Sequence, residues 1–180
     1  FNIQNDFCDG GVMSVINSID IIPKINKIRE IFEIVILIKN VYPPNHIIFK
    51  NEGAKLYCIE NTLGSEFNDG IIVSDEDHII EIGKLYMHDS NSAFYYAPNI
   101  GKESNLNSIL KKNKVKELYF TGINVKGSIF NTAIDAKKFK YDCIIIDDLC
   151  ATDIQDSKQI EKCNKFLDSI SVKILNSENI

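Results

Sequence analysis

Short apolar runs alternate along this chain with stretches whose apolar residues recur at helical spacing. Residues 33–39 form a continuous apolar run of strand length, and residues 115–120 and 141–147 read as two further buried strands. Residues 19–32 place Ile21, Ile22, Ile25, Ile28, Ile31 and Phe32 at near-helical intervals. Pro23 suits the first turn of that helix, where its missing N–H has no partner to lose. The pattern predicts further helices over 128–139 and 160–167 and a last strand over 171–175. Residues 1–4 read as the end of a strand whose beginning lies ahead of Phe1, and the prolines of "NVYPPNH" stop any regular element. Buried strands separated by helices predict an α/β fold: a mainly parallel sheet covered on both faces and joined by right-handed crossovers. Ligands of such sheets sit beyond the carboxyl ends of the strands. "NIQND", "IKNVYPPNH" and "GINVKGS" all fall at such ends and are expected to share one pocket.

Composition narrows the class. A chain of 180 residues with 44% hydrophobic and 25% charged residues is an ordinary globular chain, read as one domain over 1–180 with its first strand clipped. A net charge of −5, with no basic cluster carrying aromatics, argues against nucleic acid as the main partner. No apolar run approaches the length of a membrane span. The five cysteines are scattered without a CxxC pair, which fits a reducing, intracellular compartment better than a disulfide framework. Any targeting segment would have preceded Phe1.

The candidate chemistry centres on "LYFTGINVKGSIFNTAIDAKKF", where a strand hands over abruptly to a helix and Ser128 stands at the turn. Free N–H groups at such a turn favour negative charge, so α/β enzymes often seat a nucleophile there. Four stretches, in order from residue 1 to about 153, resemble the isochorismatase-like hydrolase family and its nicotinamidase branch. They are "FNIQNDFCDGGVMSV", "FEIVILIKNVYPPNHIIF", "YCIENTLGSEF" and "TGINVKGSIFNTAIDAKKFKYD". The resemblance implies a three-layer α/β/α fold, a Cys nucleophile, an Asp base, a supporting Lys and a divalent metal such as zinc held by Asp and His. It also implies self-association. Carried across, the Asp position falls on Asn2, the Cys on Ser128 and the Lys on Ile82, or on Lys84 if two residues are deleted. The metal positions fall on Asn40, Tyr42, His46 and Tyr57, and the segment from 49 to 56 is shorter than is usual in that branch. The oxyanion-type turn would involve Ile123, Asn124 and Ser128, with a cis bond between the first two.

These replacements change the chemistry. A serine hydroxyl needs a base, and the amide of Asn2 has none at neutral pH; Asp→Asn changes in hydrolytic triads cost about 10⁴-fold in rate. Neutral Asn40 and two phenols with ordinary pKa near 10 are poor partners for a cation. The expectation is therefore a non-catalytic family member with an occluded pocket, no metal, and a protein partner or a second copy of itself. The alternatives are a working nicotinamide amidohydrolase, with zinc if the site is kept, and a sensor of a small aromatic ligand. The milder readings make Ser128 a helix cap or first-turn residue, His46 a loop histidine, Cys8 and Cys58 unreactive, and residues 75–78 a solvated acidic loop. Asp147 and Asp148 would end a strand and cap the next turn, Gly10 and Gly11 would permit a tight loop, and Ala133 and Ala136 would let a helix pack closely.

Overall fold

Strands form where the chain carries its densest β-branched and aromatic runs. The computed structural model describes residues 1–123, 125–153 and 156–180. Strand β1 (Ile36–Asn40) pairs in parallel with β2 (His78–Ile82), Ile36 opposite His78 and Asn40 opposite Ile82. A small antiparallel hairpin follows, β3 (Tyr95–Ala97) and β4 (Lys102–Glu103). Strands β5 (Glu117–Ile123), β6 (Asp142–Ala151) and β7 (Val172–Leu175) form a second parallel set in that order.

Residues 1–3 join the two parallel sets. The Asn2 N–H donates to the Ile38 carbonyl at 2.8 Å, and the Ile123 N–H donates to the Phe1 carbonyl at 2.8 Å. The Phe1 ammonium donates to the Thr121 carbonyl at 2.8 Å. The spatial order is thus β2, β1, residues 1–3, β5, β6, β7. Gly122, at φ +115°, lies so close to the Phe1 carbonyl that a β-carbon there would collide with it.

Helices cover both faces. On one, α2 (Leu106–Lys112), α3 (Phe130–Lys138) and α4 (Ser157–Ser169) bring Leu106, Leu110, Ala133, Ala136 and Leu167 onto Ile38, Ile80, Phe120 and Ile145. On the other, Ile22 and Ile25 of α1 (Ile22–Ile28) meet Ile3, Ile71, Ile123, Ile146 and Leu149. Each such side chain, once buried, contributes about 1.5–3 kcal/mol, so the two apolar layers hold the sheet between them.

Several boundaries differ from the sequence pattern. The helix expected over 19–32 is α1 followed by a 3-10 turn, Arg29–Ile31, after which Phe32 becomes extended and packs on Tyr119 with ring centroids 4.9 Å apart. The helix expected from 128 begins at Phe130, after a π-turn over Val125–Ile129. Asp147 and Asp148 do not end their strand: β6 runs on to Ala151 through a register shift against β5. Asp148 does not cap the next turn but accepts from the Ser177 N–H at 2.7 Å and its hydroxyl at 2.6 Å, anchoring the last turn of the chain. The acidic stretch 75–78 is not uniformly solvated, because the Asp77 side chain is 3% exposed and ion-pairs with Arg29 at 2.6 Å.

Candidate functional site

The carboxyl ends of β1, residues 1–3 and β5 point the same way, and their loops meet there. Gln4 fastens two of them. Its side-chain oxygen accepts from the Asn40 N–H at 2.8 Å, and its amide donates to the carbonyls of Asn40 at 2.7 Å and Ser65 at 2.8 Å. Pattern reading assigned Gln4 no role; the signal was a polar residue directly after an apolar strand end.

Asn2 sits at φ 57°, a left-handed conformation that asparagine tolerates better than most residues. Its amide donates to the Ser128 hydroxyl oxygen at 3.1 Å and lies 3.4 Å from the Ile123 carbonyl. That carbonyl can only accept, so the nitrogen rather than the oxygen of Asn2 must face it. The Asn2 side-chain oxygen is the one buried side-chain polar atom without a partner among the described residues. Ser128 is buried within the π-turn that runs into α3, a first-turn place rather than the N-cap position, which belongs to Ile129. The Ile123 N–H is already donated to Phe1. Asn124, and with it the 123–124 peptide bond, lies outside the described residues.

Where the resemblance expects a cation, Ile82 is fully buried among Ile38, Ile80 and Phe94. Lys84 turns outward, its side chain 53% exposed, and ion-pairs with Glu81.

Three of the four expected ligand positions, Tyr42, His46 and Tyr57, come together with Phe49 as a set of packed rings. Tyr42 lies 4.9 Å from His46, 5.5 Å from Tyr57 and 5.7 Å from Phe49 between ring centroids, and Phe49 meets Tyr57 edge-on at 5.5 Å. Gly83, at φ +89°, lies so close to the Tyr42 ring that a β-carbon there would strike it. His46 is fully buried, with both nitrogens engaged: Nδ1 accepts from the Ile48 N–H at 3.3 Å, and Nε2 donates to the His88 carbonyl at 3.1 Å. Burial, then the neighbouring Tyr57 and Asp89 charges, push the Tyr42 phenol well above its ordinary pKa. Burial and Asp89 raise Tyr57 likewise. Asn40 gives its backbone N–H and carbonyl to Gln4. No group of three or more His, Cys, Asp or Glu side chains is arranged to hold a metal among the described residues.

Cys8 and Cys58 are both buried. Burial, with Asp9 second, pushes the Cys8 thiol up to about 11. Burial, then Asp6, pushes Cys58 higher still. Both stay protonated near neutrality, the unreactive form.

Fold and site together define a three-layer parallel α/β protein whose candidate site residues gather beyond the strand carboxyl ends. The Isochorismatase domain model matches residues 1–164, and the chain belongs to that family. It is 28% identical over 177 residues to a nicotinamidase of Acinetobacter baylyi, covering 88% of this chain and 82% of the relative. With a nicotinamidase of Schizosaccharomyces pombe it shares 27% over 173 residues, covering 81% and 77%. Among solved structures, a nicotinamidase/pyrazinamidase of Acinetobacter baumanii superposes with a TM-score of 0.90 at 26% identity, over 99% of this chain and 94% of that one. A pyrazinamidase of Pyrococcus horikoshii in complex with zinc gives 0.84 at 26%, over 97% and 95%. The chain is nicotinamidase-like within its family. No helix among the described residues is long and apolar enough to cross a membrane.

Proposed function

We propose that this chain is a nicotinamidase-like family member that does not hydrolyse amides and acts as a structural or interaction subunit. One observation carries the reading: at the position where the resemblance expects a base, Asn2 directs an N–H, not a lone pair, at the Ser128 hydroxyl from 3.1 Å. A hydroxyl that accepts from a neutral amide gains no nucleophilicity, and the position where the resemblance expects a cation holds the buried, apolar Ile82. The donor set does not fit a divalent metal either. His46 has committed both nitrogens to the backbone, and the two phenols are held further from ionisation than free tyrosine. Binding would have to break the ring packing to reach one imidazole.

An interaction role is supported by exposed apolar side chains beside the site loops. Val12, Met13 and Ile16 on one loop and Leu56 and Leu63 on others present a surface suited to a protein partner or a second copy of the chain. The second reading is amide hydrolysis with unfamiliar groups, which the names of the relatives favour. Ammonia release from nicotinamide, measured with and without Zn²⁺ or Mn²⁺, separates the two. The proposal expects a rate equal to that of Ser128→Ala. Turnover at an enzyme's rate that Ser128→Ala abolishes would establish the second reading instead.

A further inference from the structure

At the end of the sheet opposite Asn2 and Ser128, the chain gathers lysines. Lys111, Lys112, Lys114 and Lys116 lie between the last turn of α2 and the start of β5, and all four are exposed. Lys137, Lys138 and Lys140 occupy the matching stretch between α3 and β6. The Asp142 N–H donates to the Lys116 carbonyl at 2.9 Å, and Glu117 stands opposite Asp142 in register, so the two turns are side by side. Carboxylates answer few of these charges. Lys138 pairs with Asp135 at 2.8 Å and Lys137 lies 3.8 Å from Asp142. Lys111, Lys112, Lys114, Lys116 and Lys140 have no ion pair among the described residues. A helix dipole favours cations in the last turn, which accounts for Lys111, Lys112, Lys137 and Lys138. It does not account for the rest. Both helices close with the same pair of backbone bonds, Lys114 to Lys111 and Val115 to Leu110 in one, Lys140 to Lys137 and Tyr141 to Ala136 in the other. That closure leaves Lys114 at φ 55° and Lys140 at φ 68°, the left-handed place that glycine usually takes. Lysine stands there twice against its backbone preference, and Lys116 lies beyond either helix.

We propose that this basic end docks a short acidic segment of a protein partner, a run of Glu or Asp side chains laid across the two turns. Three features favour that occupant over a polyphosphate or a lipid surface. The cations are all lysines, point charges without the guanidinium fork that grips a phosphate from two sides. The single arginine of the chain, Arg29, is committed to Asp77. The rings of the second turn face inward, Phe139 stacked on Phe94 at 5.0 Å and Tyr141 bonded to Asn107, which leaves none for bases. None of the large exposed apolar side chains belongs to residues 111–117 or 137–142, so this surface offers nothing to insert into a bilayer. Charge also sets the length of the occupant. The whole chain carries −5, so a long polyanion running past these lysines meets a surface of net negative charge, beginning with Glu117 and Asp142. A segment of a few carboxylates stays within the basic field. The inference goes beyond the question of activity. At about 3.3 Å per residue, the length of β5 sets these lysines roughly 20 Å from the candidate site, and an active hydrolase would carry them equally.

Fluorescence anisotropy of a labelled decaglutamate peptide, titrated with the 180-residue chain at low and at physiological salt, tests the proposal. Binding is expected at low salt and should weaken steeply as salt rises. Lys114→Glu with Lys140→Glu should weaken it by about tenfold or more. Lys158→Glu with Lys162→Glu, at the amino end of α4, changes the net charge equally and should leave binding within about twofold. Lys114→Gly with Lys140→Gly separates docking from folding. Glycine relieves both left-handed positions, so Tm should hold or rise while binding falls by about threefold or more. Absence of binding at low salt overturns the proposal, as does an equal loss in the two charge-reversed chains or unchanged binding in the glycine chain. Tighter binding of a decathymidylate oligonucleotide than of decaglutamate, lost with the same lysines, would assign the surface to phosphates and overturn it too. So would co-sedimentation with phosphatidylserine vesicles that the same lysines control.

Discussion

The Asn2–Ser128 hydrogen bond has a direction, and that direction decides what the pair can do. Asn2→Asp would set a carboxylate 3.4 Å from the Ile123 carbonyl in a buried site, so its folded pKa should rise above the unfolded value. The stability lost by the variant is therefore expected to grow as pH rises, reaching about 2 kcal/mol at pH 8 and less at pH 5, checked by urea unfolding at both. His46→Ala removes a fully buried ring with two backbone hydrogen bonds and should cost about 2–4 kcal/mol, with Zn²⁺ shifting the Tm of neither protein. That Asn2, Ile82 and Asn40 carry neither charge nor base was legible from the sequence, because charge and basicity belong to the side chain itself. What was not legible depends on distant partners. Asp77 is buried through Arg29, 48 residues away, and Gln4 becomes a fastener only once Asn40 and Ser65 reach it.

Elements with strong apolar signatures, β1, β5 and β6, were legible to within a few residues. The short ones were not. The sequence of α2 spans seven residues with no side-chain cap, and β2 follows the acidic stretch that masks its start. The π-turn ahead of α3 also escaped, since Ser128 and Ile129 continue the helical spacing of the residues that follow. Backbone demands at element ends are better tested than read. Gly83 directly follows β2 at φ +89°, close against the Tyr42 ring. Gly83→Ala should strain the backbone and displace that ring, lowering stability by about 2–4 kcal/mol in thermal or chemical unfolding. A cost within a few tenths of a kcal/mol would show that the ring set is loosely held.

At the scale of the whole molecule, the layered parallel architecture was legible from the alternation of strands and helices, whereas the seat of residues 1–3 between β1 and β5 was not, because its bonds to β5 join residues more than a hundred positions apart. On the proposed reading Ser128 stands where a nucleophile would, and Asn2 beside it directs an N–H at its hydroxyl. Intact-protein mass spectrometry after acid quench of the chain with excess nicotinamide tests this most directly. The account predicts a single unmodified mass at every pH and with every added metal. A nicotinoyl ester that maps to Ser128 would contradict it.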